Sequence, residues 1–182
     1  FVKNLLRTEN VIGIDVEQTN LGTYQGYNCL IQIATSEKNF LIDAILLHDM
    51  IPDQLKQIFE NENIVKVFYS GASDLQWINR DYGLFIVNYF DVHEAALFLE
   101  SKSDSSLLAL FKRYCNYHFD RSKKKEFQTS DWRNRPLTKE QCNYAALDVH
   151  YLRYLYDVLL KQIIEQKGIS SAEKFLMKLQ QN

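Results

Sequence analysis

Apolar and polar residues alternate along Val11-Ile12-Gly13-Ile14-Asp15-Val16-Glu17, so Ile12, Ile14 and Val16 line one face and two acids end the other. The spacing predicts a strand over 11–17. Strands over 29–35 and 39–43 follow, separated by the Gly- and polar-rich stretch Thr19 to Asn28 and by Ser36-Glu37-Lys38-Asn39. Connections this short favour antiparallel neighbours. Pro52 then opens a helix, and a strand over 64–69, a helix over 73–82 and a strand near 86–90 continue as β-α-β. The pattern predicts an α/β domain in which helices flank a mixed sheet.

Further along, Asp91-Val92-His93-Glu94 before an apolar run matches a capping box, which assigns Asp91 to helix capping and not to catalysis. Ser101 to Ser106 reads as a polar linker before the helix Leu107-Leu108-Ala109-Leu110-Phe111. Thr138 with Gln141 makes a second capping box. It opens a helix predicted to run unbroken from about Thr138 to Glu165, with Tyr144, Leu147, Asp148, Tyr151, Leu152, Leu155, Val158 and Leu159 on one stripe.

The acids change the picture. Asp15 and Glu17 point the same way, roughly 6–7 Å apart along their strand, and Asp148 lies on the stripe expected to be buried. A carboxylate turned inward must be protonated, paired or bound to a cation, because uncompensated burial of charge costs about several kcal/mol. Several acids without matching cationic side chains suit Mg²⁺ or Mn²⁺, whereas zinc recruits His or Cys; no HExxH or CxxC spacing is present. Taken singly, each acid has a blander reading. Asp15 could end a strand, Glu17 face solvent, and Asp148 pair with Arg153, with Tyr144 a core aromatic. Asp74, just past the strand over 64–69, could favour its helix's first turn, yet strand ends are also where open α/β sheets bind ligands.

In the order acid-x-acid, acid, tyrosine-x-x-x-acid, the chain resembles the DEDD superfamily of 3′-to-5′ exonucleases, in its tyrosine-bearing, RNase D-like branch. Ile14-Asp15-Val16-Glu17, Cys29-Leu30-Ile31-Gln32-Ile33-Ala34-Thr35, Ile64-Val65-Lys66-Val67-Phe68 and Asp131-Trp132-Arg133-Asn134-Arg135-Pro136-Leu137 resemble most the RNase D-like exoribonucleases associated with the eukaryotic nuclear RNA exosome. The resemblance runs from about Val11 to Leu160.

It implies a ribonuclease-H-like fold, three antiparallel strands extended by parallel ones. It also implies two-metal-ion hydrolysis with two divalent cations, Mg²⁺ or Mn²⁺, about 3.5–4 Å apart. Asp15 would bridge both ions, Glu17 and Asp148 would complete one, and Asp74 would help hold the second. Tyr144 would position the attacking water. Products would be nucleoside 5′-monophosphates released singly from the 3′ end. Two departures stand out: Gln18 replaces the family's His or Phe, and Ser70 replaces a common His, so contacts to the terminal nucleotide are expected to differ while every metal ligand is kept. The exosome-type relatives also carry a helical HRDC domain after the nuclease core; with about twenty residues following Leu160, no HRDC domain is expected within this sequence.

With 182 residues, 46% of them hydrophobic, the chain suits a single exonuclease domain over residues 1–182. A net charge of −2 and a pI near 6.1 argue against a large duplex-wrapping surface. Basic density is local: Arg121-Ser122-Lys123-Lys124-Lys125, then Arg133 and Arg135. The run is either a phosphate contact or a solvated loop. Gln18, Lys125, Gln128, Trp132 and Arg133 are the expected substrate contacts. Trp132 and Phe127 could stack a base, although packing beside the domain is the blander role for Trp132.

Cys29, Cys115 and Cys142, odd in number and without metal spacing, read as reduced residues of an intracellular protein. His48, His93, His118 and His150 do not converge by spacing. No stretch is apolar enough for a membrane span. The chain opens at Phe1 and reads as a piece of a longer protein. The expected function is therefore metal-dependent 3′-5′ exoribonuclease action on single-stranded RNA ends, in the nucleus by resemblance, with the exosome core as a partner. The alternatives are a DNA 3′-5′ exonuclease and a non-catalytic RNA-binding scaffold subunit.

Overall fold

The computed structural model describes residues 2–101, 104–118 and 121–181, without the side chains of residues 4 and 121–124. A five-stranded sheet in the order β3-β2-β1-β4-β5 organises it. Its strands are β1 (Val11–Thr19), β2 (Tyr27–Ala34), β3 (Asn39–Asp43), β4 (Val65–Phe68) and β5 (Tyr89–Asp91). β1, β2 and β3 run antiparallel, and β4 and β5 extend the sheet in parallel. This is the mixed, ribonuclease-H-like arrangement expected. β5 begins later than the strand placed near 86–90, because Asn88 adopts a positive φ of 52° just before it.

Nine described helices surround the sheet: α1 (Val2–Thr8), α2 (Ile51–Phe59), α3 (Ala72–Tyr82), α4 (Val92–Leu99), α5 (Leu107–Cys115), α6 (Arg121–Gln128), α7 (Lys139–His150), α8 (Leu152–Lys167) and α9 (Ile169–Leu179). Both capping expectations hold in part or whole. Thr138 and Gln141 form the reciprocal capping box of α7, and the Asp91 carboxylate accepts from the His93 and Glu94 amides at the start of α4. Ile12, Ile14 and Val16 join Ile31, Ile33 and Phe59 in the principal core, as the alternation predicts.

The long helix expected over 138–165 is two helices. The two meet at Tyr151, a turn residue whose φ and ψ of −97° and −2° lie at the shallow edge of the right-handed helical region. The break lets α7 lie on β1, β2 and β3 while α8 packs against α4 and α9. At the joint the chain approaches β1 closely. A Cβ on Gly13 would meet the Val149 carbonyl oxygen at 2.9 Å and Leu152 Cβ at 3.0 Å, so only glycine fits there. Arg153, offered above as a partner for Asp148, instead donates to the Val11 carbonyl at 2.8 Å and pairs with Glu9 at 3.4 Å. That contact clamps α8 to the start of β1 and leaves Asp148 facing the site.

An unpaired sheet edge is a liability, and β5 is covered in a specific way. The Gln180 side-chain amide accepts from the Tyr89 N–H at 3.0 Å and donates to the Tyr89 carbonyl at 2.7 Å, replacing a missing strand's peptide group.

Candidate active site

β1 delivers the first two acids from the sheet's centre. Its register slips between Glu17 and Gln18, and such bulges re-aim side chains at sites. Asp15 and Glu17 face α7, which supplies Asp148 and, one turn earlier, Tyr144. One oxygen from each of Asp15, Glu17 and Asp148 lies within 4.8 Å of the others. Asp74 comes from the first turn of α3, beyond the end of β4, and Asp74 and Asp148 are 7% and 8% exposed. All five expected catalytic residues line one cavity of about 330 Å³, together with Tyr69, Ser70, Trp77, Gln128 and Leu107.

The electrostatics are those of a cation site. Burial first, and then the neighbouring charges of Asp74, Asp148 and Glu17, hold the Asp15 carboxyl well above the usual range. Burial and Asp91 push Asp74 up to about 8. Among the described residues lining the cavity there is no Lys or Arg to neutralise these acids. Gln32, directly opposite Asp15 in register and fully buried, has amide atoms without a protein partner. Hard oxygen donors converging without a cationic side chain fit Mg²⁺ or Mn²⁺.

Tyr144 is held by aromatic packing. Phe127 stacks on it with centroids 5.2 Å apart, and Trp132 lies 6.2 Å away on a tilted plane. Burial, the Asp148 and Glu17 charges and a hydrogen bond with Asp148 all raise its phenol above the ordinary value, so it stays protonated.

The expected substrate contacts are spread more widely. Gln128 lines the cavity, and Lys125 is exposed one turn earlier on α6. Gln18 is half-buried, and its amide donates to the Gln25 carbonyl at 3.3 Å. Trp132 is only 1% exposed and packs behind Tyr144, outside the cavity lining. Arg133 is exposed, but its guanidinium is committed to Asp131 through two contacts of 2.8 Å and to the Leu21 carbonyl at 3.2 Å. The basic run forms α6 and not a loop; the side chains of Arg121, Ser122, Lys123 and Lys124 lie outside the described residues. Arg135 is structural: it pairs with Asp43 and donates to the Cys29 and Trp132 carbonyls at 2.9 and 2.7 Å, fixing the approach to α7.

Trp77 and Tyr69 were not expected at the site. Trp77 had a signal, since it lies three residues past Asp74 and shares its helix face. Tyr69 had none, because its position depends on a hydrogen bond to the Ser105 carbonyl at 3.2 Å. The histidines do not converge: His93 packs edge-on to Tyr69, and His150 contacts Asn39 on the other side of α7. The three cysteines are free.

The chain matches the 3′-5′ exonuclease family over residues 1–164. It belongs to that family. The chain is 39% identical to human exosome complex component 10 over 84% of its own length and 17% of that protein's length. It superposes on the crystal structure of the catalytic core of RRP6 from Trypanosoma brucei with a TM-score of 0.85 and 33% identity, covering 97% of this chain and 47% of the other. Escherichia coli RNase D, an exoribonuclease involved in structured RNA processing, gives a TM-score of 0.80 and 25% identity over 97% and 47%. The chain thus spans about a sixth of the curated relative and about half of each solved neighbour.

Proposed function

We propose that this chain is a metal-dependent 3′-5′ exoribonuclease domain, spanning residues 1–182, that hydrolyses single-stranded RNA ends to nucleoside 5′-monophosphates. The observation that carries the reading is the convergence of Asp15, Glu17 and Asp148 oxygens within 4.8 Å, with Asp74 and Tyr144 on the same cavity. Relatives named as exosome component and RNase D support RNA as substrate, the exosome core as partner and nuclear RNA processing as the setting.

Asp15, on which the charges of Asp74, Asp148 and Glu17 all act, would hold both cations; Glu17 and Asp148 would complete one position and Asp74 the other. A bound pair of divalent ions supplies Lewis-acid charge to the scissile phosphate and activates water for in-line attack. The protein's own groups do the positioning. The protonated Tyr144 phenol orients the attacking water by hydrogen bonding, since a phenol raised in this way is no base at neutral pH. Water adds to phosphorus, the P–O3′ bond breaks, and the departing 3′ oxygen takes a proton. Trp77 and Tyr69 offer aromatic faces to the terminal base, and the small cavity admits a single strand's end.

The test is a parallel digestion of matched RNA and DNA oligonucleotides with Mg²⁺ or Mn²⁺, with products resolved by chromatography. Release of nucleoside 5′-monophosphates mainly from RNA is expected. Equal or faster release from DNA would move the assignment to a DNA exonuclease, and tight RNA binding without shortening would make the chain a scaffold.

A further inference from the structure

Asp74 reaches the cleft through a turn that the chain would not adopt unaided. Ser70 sits at φ 55°, a left-handed conformation that side chains disfavour. At Gly71 a Cβ would lie 2.5 Å from Phe68 Cβ, so nothing larger than glycine fits. The group that holds this turn is Asp91, at the end of β5 and only 2% exposed. Phe68 and Asp91 are register partners, which puts the carboxylate beside the point where the turn leaves β4.

One Asp91 oxygen accepts from the Ser70 N–H at 3.1 Å, the His93 N–H at 2.8 Å and the Glu94 N–H at 3.2 Å. The other accepts from the Gly71 N–H at 2.9 Å and from the Tyr89 hydroxyl. Capping α4 requires only the His93 and Glu94 amides. The Ser70 and Gly71 contacts have no capping role; they tie the loop before α3 to a neighbouring strand.

We propose that Asp91 is a positioning residue for the metal site: its carboxylate fixes the Ser70–Gly71 turn and, through it, the register of α3 that presents Asp74. The inference rests on the reading of Asp74 as a metal ligand. Asp91 touches neither substrate nor metal, yet metal affinity depends on it.

Asp91→Asn separates the two roles. The amide keeps one acceptor oxygen for the α4 cap and the Ser70 N–H, and asparagine caps helices about as well as aspartate. Its NH₂ group meets the Gly71 N–H donor to donor. The measurement is the Mn²⁺ concentration giving half-maximal cleavage of a labelled single-stranded RNA, with kcat at saturating Mn²⁺ and circular dichroism alongside. Losing such an outer partner is expected to raise the half-saturating Mn²⁺ on the order of tenfold or more, with part of kcat recovered at high Mn²⁺ and unchanged secondary structure.

Ser70→Gly added to Asp91→Asn should restore part of the lost Mn²⁺ affinity, because glycine takes a positive φ freely. A folded Asp91→Asn protein with wild-type Mn²⁺ dependence overturns the proposal, as does activity lost only in proportion to unfolded protein or no recovery in the double variant. Should Asp91→Asn not fold, Asp91→Ser carries the same test, since one hydroxyl can cap α4 but cannot serve both turn amides. A wild-type chain inert with Mn²⁺ overturns the metal-site reading and this inference with it; an active wild type with an unaltered Asp91 variant overturns this inference alone.

Discussion

Asp15, Glu17 and Asp148 stand on regular elements, a strand at the sheet's centre and a helix with a full capping box, whereas Asp74 stands just beyond a left-handed serine and a glycine with no room for a side chain. The first arm is positioned by periodicity: alternation sets the two strand acids, and 3.6-residue spacing sets Tyr144 and Asp148. The second is positioned from a distance, by hydrogen bonds to a carboxylate about one supersecondary unit further along the chain. Geometry built from regular elements tolerates remote substitution, while geometry built from a strained turn inherits the sensitivity of whatever restrains it.

The largest effect should come from the periodic arm. Asp15→Asn or Asp148→Asn should lower kcat by at least about a hundredfold, since removing a ligand forfeits several kcal/mol of charge stabilisation, with the circular dichroism spectrum preserved. An Asn variant that retained activity would break the assignment of that arm. Tyr144→Phe should cost less, about tenfold to a hundredfold in kcat, the worth of one hydrogen bond at a charged centre; an unchanged rate would remove Tyr144 from the chemistry and leave it an aromatic packed against Phe127 and Trp132.

The Asp74 arm carries its own pH signature. In protein stripped of divalent ions, the folded Asp74 carboxyl titrates at about 8, against about 3.9 in the unfolded chain. Between those values the native state holds a proton that the unfolded state has released, so its contribution is full below about pH 4 and is lost as pH rises through about 8. The thermal midpoint of ion-free protein should therefore fall over that interval, less steeply in Asp74→Asn. Mn²⁺ should raise the midpoint most at high pH, because the ligands must be ionised to bind. A pH-independent midpoint that Asp74→Asn leaves unmoved would contradict the burial argument. The smallest expected effect lies outside both arms: Gln180→Ala should cost about 1–2 kcal/mol through two hydrogen bonds at the β5 edge, with no change in Mn²⁺ dependence.

The same division governs what the sequence disclosed. Strand alternation made the Ile12, Ile14 and Val16 face legible, and capping chemistry made Thr138 and Asp91 legible as helix starts. The break at Tyr151 was not, because it follows from how closely Gly13 admits the α7–α8 joint and from the Arg153 clamp, neither of which leaves a proline or glycine at the break itself. Asp91 was read for its local role, and its second role depends on Ser70 and Gly71, which are neighbours only in space. Likewise Trp132 and Arg133 stood next to the basic run in sequence, yet folding buries one against Tyr144 and commits the other to Asp131. Local pattern finds groups on regular elements; long-range hydrogen bonds and ion pairs decide the rest.

The most direct test of the central claim is incubation of a 5′-labelled single-stranded RNA with the protein and Mg²⁺ or Mn²⁺, beside EDTA and Asp15→Asn controls. The account predicts a ladder shortening from the 3′ end that disappears in both controls. RNA left intact by the wild type, or shortened equally in EDTA or by Asp15→Asn, would contradict it.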